Sequence, residues 1–416
     1  MIVQSRTLYI YKQIKQKMNK TKDNKPHIGI YGRRNCGKSM LTNLLAGQDV
    51  SIVSNHAGST TDPVKKTVEI LNMGPVILID TAGVDDFGEL GEKRISKTVE
   101  SIKTVDLALL VVSNNDFSSF ESDLIFTFNK YDIPFIIVHN KADEIRAGQS
   151  IKKFAADNKA PFVEVSSISK LGFNELVELI KNTTPQNAFQ QPSLLKDIIK
   201  QDDVILLITP IDSEAPAGRM ILPQVQTIRD VLDNEAVAIT LKENAVSHFL
   251  KSTNITPALV ITDSQIFKQA NRIIPSNIPL TSFSIVLSRI KGPFEELCNG
   301  TSHISTLKNG DKILILESCS HHTSCEDIGR TKLPRWLSEF TSKSLDFDVI
   351  AGLNAIKCPI TDYALIIQCG GCMITKKQFS NRLHPAIEAG IPVSNYGMAI
   401  AYINGIFERA IAPFKK

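Results

Sequence analysis

Residues His27–Tyr31 form a short apolar run that passes directly into Gly32-Arg33-Arg34-Asn35-Cys36-Gly37-Lys38-Ser39, and Met40–Ala46 continue with helical character. A loop of the form G-x4-G-K-S between a strand and a helix is a phosphate cradle. Its glycines let successive backbone N–H groups face one anion, and the helix that follows adds its positive end. This constrains the fold, because such a loop works at the carboxyl end of a strand in an α/β sheet. In this reading Lys38 neutralises the β- and γ-phosphate oxygens and the Ser39 hydroxyl binds Mg2+.

Three further segments follow in order. Asp80-Thr81-Ala82-Gly83 ends a strand, which places Asp80 to hold the same ion through water and Gly83 to give its N–H to the γ-phosphate. Asn140-Lys141-Ala142-Asp143 follows the run Phe135–Val138. The Asp143 carboxylate can accept from guanine N1–H and N2–H2, a donor pair that adenine lacks, so GTP is expected over ATP. Ser166-Ser167 is expected to close over the base. Gly58-Ser59-Thr60-Thr61-Asp62 is the expected first switch, with Thr60 the first choice for the Mg2+-sensing hydroxyl and Thr61 the second. Val84 stands where many small GTPases carry a water-orienting glutamine. Asp85, Asp86 and Glu89 are candidates for that task, and nothing in the sequence selects among them. Asn35 occupies the loop position that holds asparagine in potassium-activated GTPases, where the amide oxygen could keep K+ against the phosphates.

The chain of 416 residues is long enough for two or three domains. Leu107–Val112, Phe135–Val138 and Phe162–Val165 are continuous apolar runs of buried-strand type separated by helical stretches. This pattern predicts a doubly wound, mainly parallel sheet over residues 25–185, with a hairpin turn at Asn72–Pro75. A polar break at Asn182–Asn187 and Gln190–Pro192 precedes a smaller α/β domain, residues 190–278, built around Val204–Ile208, Val237–Leu241 and Ala258–Ile261. Pro275–Pro279 marks a second break, and residues 279–416 form the third domain. The net charge of +4 argues neither for nor against nucleic acid, and no apolar run has the length of a membrane span. Residues 1–24 carry Arg6, Lys12, Lys15, Lys17, Lys20 and Lys22 ahead of a lone acid, Asp23, and read as a disordered basic tail. A cytoplasmic location is expected, or an organelle matrix if that tail is a transit peptide.

Of the seven cysteines only Cys36, in the phosphate loop, precedes residue 281. Cys369-Gly370-Gly371-Cys372 follows the strand Tyr363–Ile367, and Cys319-Ser320-His321-His322 ends the strand Ile313–Leu316. Without a secretory signal these are expected as thiols or metal ligands. A C-x-x-C alone can be a redox pair, half a zinc site or two ligands of an iron–sulfur cluster. Three thiolates and two imidazoles suit zinc and iron–sulfur equally.

Taken together, these stretches resemble the GTPase maturation factors of [FeFe]-hydrogenases, the HydF family. The resemblance runs from about His27 to the end. It includes Thr60–Val64, Asp80–Asp86, Pro210–Asp212, Gly218–Asp230, Glu317–His322, Asp327–Arg330, Pro334–Trp336, Cys369–Met373 and Asn395–Gly397. It implies a GTPase domain, a middle dimerisation domain and a C-terminal [4Fe-4S] domain with Cys319, Cys369 and Cys372 as ligands. Gln368 departs from the family, many of whose members have histidine there. The fourth iron is then left to His321, His322, Glu326, another carboxylate or water. The resemblance further implies a homodimeric scaffold that carries a di-iron precursor to the apo-[FeFe]-hydrogenase and works with two radical-SAM maturation enzymes, without nucleic acid or membrane. Cys298, Cys325 and Cys358 receive no role. The rival reading is an RNA-modification or ribosome-assembly GTPase with a structural zinc domain.

Overall fold

The computed structural model describes residues 25–47, 64–70, 73–81, 97–189, 192–210, 220–318 and 327–415. The chain divides into two compact units, Met1–Gln191 and Pro192–Lys416.

In the first unit, β1 (His27–Tyr31) leads to α1 (Lys38–Ala46). There follow β2 (Val64–Ile70), β3 (Gly74–Asp80) and β4 (Leu107–Val112). Then come α2 (Ser119–Lys130), β5 (Phe135–His139), α3 (Gln149–Asp157), β6 (Phe162–Glu164) and α4 (Phe173–Thr183). The sheet order is β2-β3-β1-β4-β5-β6, and only the β2–β3 hairpin is antiparallel. Every residue of β4 and β5 is buried, as central strands covered on both faces must be. Alternate residues feed two cores: Ile30 and Leu109 pack with Leu41 and Leu176, whereas Tyr31 and Leu110 pack with Phe128 and Ile151. Because β1, β3, β4, β5 and β6 run in one direction, the loops after β1, β3, β5 and β6 emerge at one sheet edge.

The second unit holds two parallel four-stranded sheets. The first contains β7 (Val204–Ile208), β8 (Val237–Leu241), β9 (Leu259–Thr262) and β10 (Leu280–Ser282) in the order β10-β9-β7-β8. Its helices are α5 (Leu222–Asp233), α6 (Glu243–Ser252) and α7 (Phe267–Ile273). Strand β10 pairs with β9 through Leu280↔Val260, so this sheet extends past the boundary expected at residue 278. Three residues ending in Thr-Ser are too short to read as a strand without their partner.

Helices α8 (Phe283–Lys291) and α9 (Phe294–Thr301) lead to the last sheet, β11 (Lys312–Leu316), β12 (Asp346–Ile350), β13 (Leu365–Gln368) and β14 (Val393–Asn395). Its order is β12-β11-β13-β14. The intervening helices are α10 (Leu333–Thr341) and α11 (Lys376–Glu388), and α12 (Tyr396–Ile403) follows β14. Residues Tyr396 to Ala401 are all buried, as an all-round apolar helix requires. Leu206, Val260, Leu314, Ile366 and Ile400 belong to one continuous core, so these two sheets share their packing. Among the described residues no helix is long and apolar enough to cross a membrane.

Candidate functional site

The phosphate loop and the segments that answer it meet at the carboxyl edge of the first sheet. Gly37 adopts φ +89, and a Cβ there would lie 2.3 Å from Asn140 Nδ2. Glycine is therefore required both by the backbone and by its neighbour. Lys38 is nearly buried, and its Nζ donates to the carbonyls of Gly32 at 2.9 Å and Arg33 at 2.5 Å, which folds the ammonium over the loop. Asn140 Nδ2 donates to the Cys36 carbonyl at 3.0 Å, while its Oδ1 accepts from the Ser167 N–H at 3.2 Å and hydroxyl at 3.0 Å. One amide thus ties three of the four motifs together. Ser166 is buried and accepts from the Ser169 N–H at 3.0 Å, which shapes the turn after β6. Lys141 has φ +59 and Asp143 is exposed. Asn35 is also exposed, with φ +61.

Asp80 ends β3 beside Ile30. Burial pushes its carboxyl up, opposed by the Ser39 hydroxyl and then by the charges of Lys38 and Lys66. Its Oδ1 is buried without a partner among the described residues. A carboxylate oxygen of this kind beside a serine hydroxyl fits a hydrated Mg2+. Gly58 to Asp62, with Thr60 and Thr61, and the run from Gly83 through Val84, Asp85, Asp86 and Glu89 lie outside the described residues.

Sequence reading missed a clamp on the loop. Arg33 Nε and Nη2 donate to the two carboxylate oxygens of Glu121 at 2.8 and 3.0 Å, and Nη2 also reaches Ser118. Glu121 is buried and caps α2 through the Ser118 N–H at 2.7 Å. The Ser118-x-x-Glu121 capping box was readable, but its arginine partner lies 88 residues away.

The second site lies at the carboxyl edge of the last sheet, where neighbouring strands β11 and β13 turn into Glu317-Ser318 and Cys369–Cys372. The Cys369 N–H donates to the Leu316 carbonyl at 2.9 Å. Its sulfur accepts from the Ser318 N–H at 3.2 Å and lies 2.9 Å from the Ser318 hydroxyl. Gly371 has φ +73, and a Cβ there would meet the Phe379 ring at 2.5 Å, so this turn too needs glycine. Lys291 is buried, and its Nζ donates to the carbonyls of Gly371 at 2.7 Å and Ile374 at 2.9 Å. Burial pulls its pKa down to about 8, against the charges of Cys372 and Cys369. Burial likewise pushes the Cys372 thiol up to about 11, Cys369 adding to the effect and Lys291 opposing it. Arg382 donates to the carbonyls of Glu317 at 2.6 Å and Ile350 at 2.9 Å. Two thiols flanked by cations whose hydrogen bonds go to carbonyl oxygens fit a sulfur-ligated anionic group.

Cys319 and His321, with His322, Cys325 and Glu326, lie outside the described residues; Cys319 is the next residue after Ser318. Gln368 is fully buried. Its carbonyl accepts from Asn395 Nδ2 at 3.1 Å, and Asn395 Oδ1 caps α12 through the Gly397 N–H at 2.8 Å. Cys358 is not part of this site. Its sulfur accepts from Lys312 Nζ at 3.4 Å, and Lys312 begins β11, at the opposite sheet edge. Cys298 is set among Lys415, Glu408 and Glu295, with its thiol pushed up to about 11 chiefly by burial.

Residues 194–292 match the hydrogen maturase F dimerization domain, and residues 295–413 match the hydrogen maturase F tetramerization domain. The chain belongs to the hydrogen maturase F family. The family resemblance read from the sequence is thereby borne out, and both self-association domains fall in the second unit. Residues 27–141 match a 50S ribosome-binding GTPase model, which agrees with the expected P-loop GTPase domain. GTPase Der of Streptococcus suis is 33% identical over 177 residues, 41% of this chain and 40% of that protein. The tRNA modification GTPase MnmE of Chromobacterium violaceum is 37% identical over 118 residues, 28% of this chain and 26% of that protein. This hydrogen maturase F chain therefore spans well under half the length of these relatives. Among solved structures, the G domain of the T. maritima FeoB iron transporter is similar at 22% identity, covering 38% of this chain and 99% of that one, with a TM-score of 0.31.

Proposed function

We propose that this chain is a GTP-hydrolysing scaffold that holds a [4Fe-4S] cluster and assembles or delivers the di-iron precursor of the active-site cluster to the apo-[FeFe]-hydrogenase. The observation that carries this reading is the meeting of Ser318 and Cys369 at neighbouring strand ends, in a family whose description is hydrogenase maturation. Cys319, Cys369 and Cys372 would hold the cluster, with His321 the candidate for a fourth place that stays exchangeable. The cluster supplies an iron that can accept a bridging ligand. Lys291 and Arg382 offset thiolate charge, and Phe379 fixes the turn that carries both sulfurs.

In the first unit Gly32, Gly37 and Lys38 would cradle the phosphates, and Ser39, Asp80 and Thr60 would hold Mg2+. The Gly83 N–H would meet the γ-phosphate. Asp143 would read guanine, with Asn140, Lys141, Ser166 and Ser167 shaping its pocket. Asn35 would place K+ where an arginine finger acts in other GTPases. Self-association through the middle domain would make the scaffold a homodimer, and the switch would govern contacts with the hydrogenase and the two radical-SAM enzymes. The test is activation of apo-hydrogenase by anaerobically loaded protein: wild type activates, whereas Cys369→Ser and Lys38→Ala each fail at their own step, the first without iron and the second without GTP turnover.

A further inference from the structure

The Cys369 sulfur sits among donors that the ligand assignment leaves unexplained. Besides the Ser318 N–H, the Gln368 amide nitrogen approaches it at 3.4 Å, and the Ser318 hydroxyl lies 2.9 Å away. With the sulfur bound to metal as a thiolate, that last contact runs from the Ser318 hydroxyl, whose oxygen in turn accepts from Gln368 Nε2 at 3.1 Å. Gln368 is 0% and Ser318 5% exposed, so water does not compete for these bonds. The amide is held this way although its Oε1 is buried without a partner among the described residues. The opposite orientation would turn the amide oxygen toward both the Cys369 carbonyl oxygen and the Cys369 sulfur, each of which the nitrogen reaches at 3.4 Å, and negative charge on the sulfur disfavours it further.

We propose that Gln368 and Ser318 form a donor relay that stabilises negative charge on the Cys369 sulfur and raises the reduction potential of the metal group it holds. This rests on the iron–sulfur reading above. An amide is a poor iron ligand but a good N–H donor, so Gln368 acts on the sulfur as a donor and not as a ligand of the metal. Adding an electron to a thiolate-ligated cluster increases negative charge on its sulfurs, and N–H and O–H donors favour that reduced state. Removing them moves the potential to more negative values.

The test is a mediated redox titration, followed by electron paramagnetic resonance, of full-length wild type, Gln368→Leu and Ser318→Ala, each reconstituted anaerobically and compared at equal iron content. Each variant is expected to lose about tenfold in the reduction equilibrium, which for a one-electron couple is about 59 mV more negative. The double variant is expected to shift by less than the sum, because Gln368 orients the Ser318 proton. Equal potentials in all proteins would overturn the relay while leaving the cluster assignment standing. Wild type that holds no iron or sulfide after reconstitution would overturn both. Should Gln368→Leu fail to fold, the Ser318→Ala titration decides the matter alone.

Discussion

Asn140 Nδ2 donates to the Cys36 carbonyl at 3.0 Å, a hydrogen bond that closes 104 residues of chain and joins the Asn140–Asp143 segment to the phosphate loop. The same side chain accepts from Ser167 through Oδ1. Asn140→Ala leaves a buried carbonyl and two donors unpaired. Such groups cost about 1–3 kcal/mol, and binding energy is lost with the pocket they shape. Calorimetry should show an earlier unfolding of the nucleotide-free protein, and titration should show GTP affinity reduced at least about tenfold. Wild-type values for both would remove this amide from the site.

In the proposed reading, base selection depends on a single carboxylate, Asp143. Asp143→Asn inverts the acceptor pattern that guanine needs, so preference should move toward xanthine nucleotides while the phosphate contacts persist. Competition binding with GTP and XTP reads this directly, and unchanged GTP preference would sink the assignment. In the same proteins, hydrolysis in K+ and in Na+ should differ for wild type and converge for Asn35→Ala.

His139 ends β5 next to Asn140, fully buried and, among the described residues, with no partner on either ring nitrogen. Burial holds its pKa below the ordinary 6.5, with the Glu164 charge opposing and the Lys152 charge adding. The unfolded chain therefore takes up a proton near that value that the folded chain refuses, so the contribution of His139 to stability falls as pH drops below about 6.5 and is level above it. His139→Leu should flatten this part of the pH dependence of the unfolding temperature. Equal slopes between pH about 7.5 and 5.5, a span bracketing the free imidazole pKa, would contradict it.

The strong local signals were legible in the sequence. Strands β1, β4 and β5 are continuous apolar runs, and the glycine loop announces its own flanking strand and helix. Strands β10, β12 and β14 were not, because Leu280-Thr281-Ser282 and Val393-Ser394-Asn395 are three residues long and Asp346–Ile350 is a polar-interrupted edge strand. The cysteine motif was readable, but its surroundings were not. Lys291 lies 80 residues from the Gly371 carbonyl it holds, and Ser318 lies 51 from Cys369. Spacings of that size carry no local signal: the parallel pairing of β11 with β13 brings Ser318 to Cys369, and the end of α8 brings Lys291 to the Gly371 carbonyl.

Among the described residues the middle domain leaves an apolar face exposed. Leu222, Val225 and Leu232 on α5 are 39%, 47% and 56% exposed, and Val237 on the edge strand β8 is 47% exposed. An apolar helix face beside an unpaired strand edge, within a domain described as dimerizing, is the surface expected to bury itself against a second copy. Light scattering of the full chain should give a multiple of the monomer mass. Val225→Glu with Leu232→Glu should lower it, and an unchanged mass would move the interface elsewhere.

Metal content decides the central claim. Thiolates bind zinc as readily as iron, so the identity of the metal must be measured. Protein purified without air and reconstituted with iron and sulfide is expected to hold about four iron and four sulfide per chain, as a [4Fe-4S] site requires. Cys319→Ser, Cys369→Ser and Cys372→Ser should each lose most of it, and Cys298→Ser and Cys358→Ser should retain it. One zinc and no iron in the wild-type protein would contradict the cluster scaffold and favour a GTPase with a structural zinc domain.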